Sequence, residues 1–326
     1  MQMAFQLLPV CILLSSYAMQ ARIYKSTGSW YVAKTNEGEI FNARIKGIFK
    51  IDDITSTNPV AVGDIVNLEI EDAAEHSAII TEITERNNYI ARISPRNKNQ
   101  HHIIASNIDQ CLLIATLKEP KTSQGFIDRC LVSAEAFHIP SIIVLNKTDI
   151  YKQKEWNVFE NLKMIYESIG YPVYKISVKN NEGIDDIKQI LSNKITLFFG
   201  HSGVGKSTLI NHIIPQLELQ TQEVSNWSGK GMHTTTFAEM FDLPFDGKII
   251  DTPGLREFAI TGIERAELSH YFIEMKNFLQ HCRFNNCLHL EEPGCAVKKA
   301  VEEKKISIER YISYCNILAS MVEDNY

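Results

Sequence analysis

The first third of the chain alternates apolar and polar positions over short stretches. These stretches predict β-strands at residues 30–32, 40–48, 66–70, 79–80 and 89–90. Clusters of Gly, Asn, Asp and Pro separate them, as expected of β-turns. About five short strands within about 70 residues predict a small β-barrel.

The hydrophobic pattern changes after Ile103. Continuous apolar runs now alternate with longer amphipathic stretches, which is typical of a parallel sheet covered by helices. Residues 237–243 alternate instead and predict an antiparallel strand beside the last buried one. After about Gly262 helical periodicity dominates. The expected buried strands are residues 110–116, 141–145, 173–177, 195–199 and 248–251.

Composition adds two limits to this pattern. A chain of 326 residues is too long for one typical domain, so two or three are expected. Its net charge of −6 argues against a protein that coats nucleic acid through general basicity. Local basic patches stay compatible with that charge, because affinity for phosphate depends on where Lys and Arg lie.

The first 18 residues carry no charged side chain and include an apolar run over residues 5–14. The run resembles the core of a signal peptide, but the basic lead-in is missing, and it is too short to span a bilayer. Besides a signal peptide, two interpretations stay open and are favoured: a start codon at Met19, or an N-terminal extension that is disordered. Both agree with the cytoplasmic location that the cysteine usage below indicates.

A phosphate-loop motif, G-x-x-x-x-G-K-S, follows the predicted strand 195–199 and leads into a helical stretch. Glycines allow the backbone N–H groups to face phosphates, and the helix N-terminus adds favourable partial charge. Lys206 is expected to reach the outer phosphates, and Ser207 to ligate Mg²⁺. The nucleotide-binding candidates here are Gly200, His201, Ser202, Gly203, Val204, Gly205, Lys206, Ser207 and Thr208.

An N-K-x-D motif, typical of guanine recognition, follows the predicted strand 141–145. The Asp149 carboxylate can accept hydrogen bonds from both N1–H and N2–H₂ of guanine, whereas adenine would leave it unpaired, which costs about 2–5 kcal/mol when the carboxylate is desolvated. Asn146 would support the loop, and the stem of Lys147 would cover the base. The four candidates are Asn146, Lys147, Thr148 and Asp149.

A second loop expected to contact the base begins at Ser177, the last residue of the predicted strand 173–177, and continues with Val178. It resembles the S-A-K loop of GTPases, with valine in place of alanine. Most GTPases present the phosphate loop first and the guanine motif later. In this chain the order is reversed, which a sheet with neighbouring termini tolerates. The permutation leaves the switch segments at the end of the nucleotide domain.

Two switch segments are predicted. Asp251 is the last residue of the predicted strand 248–251 and would hold Mg²⁺ through water, and the Gly254 amide would bind the γ-phosphate. Upstream, residues 233–236 have the composition of a first switch, and the spacing in related GTPases selects Thr235 as a Mg²⁺ ligand. The alternative for this threonine run is a strand edge.

Leu255 stands where Ras-like enzymes place a glutamine that orients the attacking water. Leucine cannot do this, so we expect weak intrinsic hydrolysis and activation by a partner. His233 is a candidate substitute for the glutamine, and a surface histidine in a loop is the alternative interpretation.

The cysteines point to a metal site. Three of the seven lie in one stretch with a histidine, in the spacing C-x₄-C-x-H-x₅-C. Three thiolates and one imidazole can fill all four positions around a tetrahedral structural Zn²⁺ and leave no open position for catalysis. Such a clustered, odd-numbered set of cysteines is typical of a metal site in a reducing compartment rather than of disulfides. The alternative is buried free thiols and a surface histidine. The predicted ligands are Cys282, Cys287, His289 and Cys295, and His281 would be a fifth and is left out.

These motifs, their order and the K-S-T-G-S-W-Y run at residues 25–31 together resemble the RsgA (YjeQ) family of circularly permuted GTPases. The resemblance implies a multidomain protein with an OB-fold barrel (19–93), a permuted α/β P-loop GTPase domain (94–262) and a mostly helical zinc-binding domain (263–326). It implies GTP/GDP, Mg²⁺ and one Zn²⁺ as cofactors. It also implies hydrolysis stimulated by the small ribosomal subunit late in maturation, and rRNA contacts by the barrel.

Departures from the family are Val178 and the segment before Met19. No membrane is expected as a partner, other maturation factors are candidates, and a monomer is expected. Two other functions stay open at this point: a nucleotide-gated RNA-binding module with little turnover, and a P-loop ATPase or small-molecule kinase.

Overall fold

The computed structural model describes residues 19–45, 59–93, 101–217, 238–252 and 263–323. Its main feature is an 11-stranded sheet in which an N-terminal barrel continues into a central, mostly parallel sheet. A helical C-terminal segment packs beside the central sheet. The predicted architecture of barrel, α/β domain and helical domain is therefore confirmed.

Five of the described strands form the barrel. Their order is β1-β2-β3-β5-β4, and β1 also pairs with β4 and so closes the barrel. β3 and β5 are parallel and the other pairs antiparallel, a Greek-key arrangement of the OB type. Alternate residues point inward, such as Ala21, Ile23, Val66 and Leu68. The strands are β1 (Met19–Ser26), β2 (Tyr31–Thr35), β3 (Ile40–Ile45), β4 (Ile65–Asp72) and β5 (Ser77–Ile83).

One strand of this region was missed, and one predicted strand pairs outside the barrel. The first barrel strand, β1, was missed because a register shift between Ile23 and Lys25 interrupts its two-residue period. The predicted strand at residues 89–90 exists as β6 (Tyr89–Ile93), but it pairs with β7 (His101–Ser106) rather than with the barrel.

The central sheet has the order β10-β9-β8-β11-β13-β12, and its first five strands are parallel. β12 runs antiparallel to β13, as predicted. One predicted strand was too long: β10 ends at Lys175, because the N–H and C=O of Ser177 bond to Glu182 instead. The strands are β8 (Gln110–Thr116), β9 (Ser141–Asn146), β10 (Val173–Lys175), β11 (Ile195–Phe199), β12 (Glu239–Asp242) and β13 (Lys248–Asp251).

Helices cover both faces of this sheet. β8 is buried along its whole length and supplies Leu113 to one core and Leu112 to the other. α1 (Gln124–Ala136) and α2 (Gln153–Ser168) pack on the first face. α3 (Ile184–Leu191) and α4 (Lys206–Ile213) pack on the second. The apolar runs of these strands are thus explained by burial on both sides.

The barrel and the central sheet are joined through strands β1 and β12. Lys25 pairs with Glu239 in the ladder, and their side chains form an ion pair of 3.0 Å. Asp242 accepts hydrogen bonds from Tyr24 and Lys34 of the barrel and from Lys248 of β13. Partial burial opposes ionisation of Asp242, but the hydrogen bonds from the two lysines and the tyrosine outweigh it and lower its pKa to about 2. Charged side chains therefore hold the barrel against the strand pair that leads to Asp251.

The C-terminal segment contains α5 (Ile273–Leu279), α6 (Ala296–Glu302) and α7 (Ile308–Glu323) around a core of its own. Val132 of α1 belongs to that core and so ties the segment to the central domain. Among the described residues, no helix has the length and apolar character needed to cross a membrane.

A buried ion network also fastens the C-terminal segment to the central domain. The guanidinium of Arg310 in α7 bonds to both carboxylate oxygens of Glu274, at 2.7 and 3.0 Å, and to Asp128 of α1 at 2.6 Å. The Tyr166 hydroxyl donates to the same Asp128 oxygen at 2.6 Å. Arg310 is only 1 % exposed, so the two carboxylates depend on it for charge compensation.

We expect Arg310→Met to lower the free energy of unfolding by about 3–5 kcal/mol, because it leaves two buried carboxylates without their cation. Urea denaturation followed by circular dichroism measures this. Lys299→Met is the matched control, since Lys299 is an exposed partner of Glu303 on α6 and is worth under about 0.5 kcal/mol. Equal effects of the two substitutions would contradict the assigned role of Arg310.

Candidate functional site

The phosphate loop lies between β11 and α4, as predicted. Gly200 and Gly205 adopt φ of +141° and +96°. A Cβ atom on Gly200 would lie 2.2 Å from the carbonyl oxygen of Ile114, and one on Gly205 would lie 2.4 Å from the side-chain nitrogen Nδ2 of Asn146. Both contacts are impossible for a side chain, so these two positions require glycine. The loop therefore folds tightly against the ends of the neighbouring strands.

Lys206, the first residue of α4, points back over this loop. Its Nζ donates to the carbonyl oxygens of Gly200 and His201, the latter at 3.2 Å. Burial lowers the pKa of Lys206, and the charge of Asp251 opposes that shift. A partly buried cation thus lies among backbone groups at the N-terminus of a helix, where a phosphate group is favoured.

The guanine-type motif contacts the phosphate loop directly, although the two are far apart in the chain. The Asn146 side chain donates to the carbonyl oxygen of Val204 at 2.9 Å, and its oxygen accepts from the Lys147 amide at 2.7 Å. Asn146 is 2 % exposed, so this contact is buried. The fold therefore joins the two motifs into one site.

Asp149 lies beside the second predicted base loop. The Ser177 hydroxyl donates to its carboxylate at 2.7 Å, and the Thr148 hydroxyl donates to the carbonyl oxygen of Ile176 at 3.1 Å. Val178 packs partly buried against the core of the second sheet face. These contacts hold the carboxylate in place and bring the two base loops together.

Asp251 ends β13 close to Lys206. Burial raises its pKa, while the charge of Lys206 acts in the opposite direction. One carboxylate oxygen is buried and has no hydrogen-bond partner within the described ranges. Ser207 occupies the first turn of α4, at the same edge of the sheet. A buried carboxylate oxygen without a partner in the described part of the chain, and a serine in the first turn of α4, fit the predicted Mg²⁺ role of both residues.

Four predicted residues fall outside the described ranges: His233, Thr235, Gly254 and Leu255. Their roles stay predictions. Residues 117–123 were not predicted to belong to the site, but in the folded protein they lie between the two motifs and contact both. Their sequence, L-K-E-P-K-T-S, carries only a turn signal and gave no indication of this.

The four predicted zinc ligands converge. Their donor atoms all lie within 4.8 Å of one another, and His289 Nδ1 lies 3.6 Å from the Cys282 sulfur and 3.4 Å from that of Cys295. Donors at 2.0–2.3 Å from a tetrahedral Zn²⁺ are separated by roughly 3.3–3.8 Å. The donor set and its spacing therefore suit one structural Zn²⁺ held by Cys282, Cys287, His289 and Cys295.

Groups around the cluster orient these ligands. Cys295 caps α6, where its sulfur accepts the Lys298 amide at 3.4 Å. The Tyr311 hydroxyl donates to the carbonyl oxygen of His289 at 2.6 Å. Burial lowers the pKa of His289 and so favours the neutral ring that a metal requires. The metal loop is thus tied to both C-terminal helices that follow it.

A parallel sheet that carries a phosphate loop and a contacting N-K-T-D loop, in reversed chain order, defines a circularly permuted GTPase. The RsgA GTPase family model matches residues 83–261, and the RsgA N-terminal domain model matches residues 20–79. The chain belongs to the RsgA GTPase family.

Similar proteins agree with this assignment. A Bacteroides fragilis protein named small ribosomal subunit biogenesis GTPase RsgA is 49 % identical over 94 % of this chain and 99 % of its own length. The crystal structure of YjeQ from Thermotoga maritima has a TM-score of 0.76 at 31 % identity, covering 93 % of this chain and 98 % of that one. YloQ, described as a circularly permuted GTPase, has a TM-score of 0.72 at 30 % identity, covering 96 % and 98 %.

Proposed function

We propose that this chain binds the small ribosomal subunit and its rRNA and hydrolyses GTP there, late in subunit maturation, with the subunit stimulating hydrolysis. The observation that carries the nucleotide part is the buried hydrogen bond from Asn146 to Val204, which joins the guanine motif to the phosphate loop. The subunit part rests on the name of the Bacteroides fragilis relative, a small ribosomal subunit biogenesis GTPase. Release of another maturation factor upon hydrolysis belongs to the same proposal.

Each site residue has a proposed role. Asp149 accepts the guanine N–H groups, with Ser177 holding its carboxylate. Lys206 and the backbone of the phosphate loop bind the phosphates, and Gly254 binds the terminal one. Ser207, Thr235 and Asp251 would hold Mg²⁺, which supplies charge neutralisation at the phosphates. His233 is the proposed residue for orienting the attacking water.

The remaining parts of the chain have proposed roles as well. The barrel, residues 19–93, would contact rRNA, which is supported by the 54 % exposure of Trp30 as a stacking surface. The metal cluster of residues 263–326 would hold one structural Zn²⁺. The GTPase unit, residues 94–262, lies between them. We propose that the protein acts as a monomer in the cytoplasm, where cysteines stay reduced and available for zinc.

Single-turnover GTP hydrolysis, with and without purified small subunits, tests this function. We expect stimulation of roughly 10²-fold or more, the scale of one positioned catalytic group, because Leu255 leaves the isolated protein without a water-orienting glutamine. Large subunits at the same concentration are the control and should have no effect.

Co-sedimentation with small subunits completes the test. A non-hydrolysable GTP analogue should retain the protein on the subunit, and GDP should release it. Nucleotide-dependent binding without stimulated hydrolysis would instead support a nucleotide-gated RNA-binding module. Binding that ignored the nucleotide would contradict the switch model.

A further inference from the structure

Residues 117–123, called the bridging loop below, connect the carboxyl end of β8 to the start of α1. This loop matches no nucleotide-binding motif. It contacts the guanine motif on one side and the phosphate loop on the other. The bridging loop therefore spans the site between the base end and the phosphate end.

Contacts on the base side involve two residues of the guanine-motif region. The Tyr151 hydroxyl accepts the Leu117 amide at 3.0 Å and donates to the carbonyl oxygen of Asn146 at 2.9 Å. The Lys147 ammonium donates to the carbonyl oxygen of Glu119 at 2.5 Å. The bridging loop thus positions the backbone at Asn146, and it also positions the ammonium group of Lys147. The aliphatic part of that lysine side chain would cover the base.

The contact on the phosphate side is a hydrogen bond between Thr122 and His201. Thr122 Oγ1 lies 2.8 Å from His201 Nε2 and accepts the Thr116 amide at 3.0 Å. His201 Nδ1 lies 3.1 Å from the carbonyl oxygen of Ser202, which can only accept, so Nδ1 carries the hydrogen. In the neutral ring Nε2 then accepts from the Thr122 hydroxyl. The Phe126 ring packs edge-on against the imidazole, with the centroids 5.3 Å apart.

Backbone conformation indicates that these contacts are specifically built. Glu119 and Lys147, which bond to each other, both adopt positive φ, at +49° and +63°. This region is uncommon for residues other than glycine and carries a conformational cost. Ordinary loop packing does not require two such residues at one hydrogen bond.

We propose that the bridging loop is a third segment of the nucleotide site, which holds the guanine motif and the phosphate loop in register. His201 and Tyr151 act as positioning residues at its two ends. The proposal deepens the guanine-nucleotide site described above and depends on it. Its consequence is that a change at one end of the loop alters how much the other end contributes to nucleotide affinity.

Dissociation of fluorescent GDP from the full-length protein tests the proposal. We expect His201→Ala to accelerate release about 5- to 10-fold, since one partly buried hydrogen bond is lost. His201→Gln, which can still accept from Thr122, should accelerate release less than His201→Ala does. Tyr151→Phe, which removes the link between Leu117 and Asn146, should accelerate release to a similar extent.

The decisive variant combines His201→Ala with Tyr151→Phe. Residues that share no contact normally show multiplicative effects. Coupling through the bridging loop should make the combined acceleration fall short of the product by about 3-fold or more. A product of independent effects, or no effect of either variant, would overturn the proposal.

Two further measurements distinguish a loss of folding, a wrong nucleotide site and a wrong role of the bridging loop. Melting curves without nucleotide identify any loss of folding, and if His201→Ala melts early the cycle is repeated with His201→Leu, which retains side-chain volume. Failure of the unmodified protein to bind GDP would refute the guanine-nucleotide site itself. Normal GDP binding with independent effects would refute only the role of the bridging loop.

Discussion

Cys295→Ser is expected to remove zinc from the protein and to unfold the C-terminal segment locally. The sulfur of Cys295 contributes both to the four-ligand cluster and to the cap of α6. Zinc binding in small domains is worth about 10–16 kcal/mol, and this free energy stabilises the fold because the site does not exist in the unfolded chain. A serine hydroxyl is a far weaker zinc ligand than a thiolate.

Zinc content and hydrogen exchange measure this effect. The unmodified protein should contain one zinc per chain, and the variant close to none, with fast amide exchange across α5 and α6. Cys315→Ser is the matched control, because Cys315 lies in α7 outside the cluster. One zinc per chain and slow exchange in Cys295→Ser would refute the metal site.

Local motifs explain why much of the site was predictable from sequence. The phosphate loop and the N-K-T-D loop are each short, and each follows a buried strand whose apolar run is easily recognised. Parallel strands end at the same edge of a sheet, so loops at those ends meet whatever their order in the chain. The structure accordingly joins Asn146 to Val204, 58 residues apart.

Contacts between distant residues account for what was missed. Arg310 and Asp128 are separated by 182 residues, and neither belongs to a local pattern that predicts the other. On its base side the bridging loop acts through the Leu117 amide and the Glu119 carbonyl oxygen, backbone groups that any sequence supplies. Strand β1 was not predicted because a register shift interrupts its alternation. Strand β10 is shorter than predicted because the backbone of Ser177 bonds to Glu182. For Arg310 and for the bridging loop, the decisive partner lies outside the window that local periodicity covers.

Asp149→Asn is expected to reverse the nucleotide preference of the protein. The carboxylate held by Ser177 is proposed to accept the two N–H groups of guanine, whereas an asparagine amide would present a donor to them. Removing one partner of such a charged, desolvated hydrogen-bonded pair costs about 2–5 kcal/mol, so GTP affinity should fall roughly 30-fold or more. Xanthine carries a carbonyl oxygen where guanine carries its amino group, and the amide can donate to it.

Asp185→Asn is the matched control for this substitution. Asp185 lies in the first turn of α3, and its side chain is 90 % exposed beside Lys188. The change of carboxylate to amide is the same, but it lies on the surface. We expect this variant to retain the unmodified preference for GTP.

Displacement of fluorescent GDP by GTP, XTP and ATP tests the central claim, that a guanine motif early in the chain and a later phosphate loop form one site. The unmodified protein should favour GTP over both competitors, and Asp149→Asn should favour XTP. An unmodified protein that accepts ATP as readily as GTP, or an Asp149→Asn variant with unchanged preference, would contradict it.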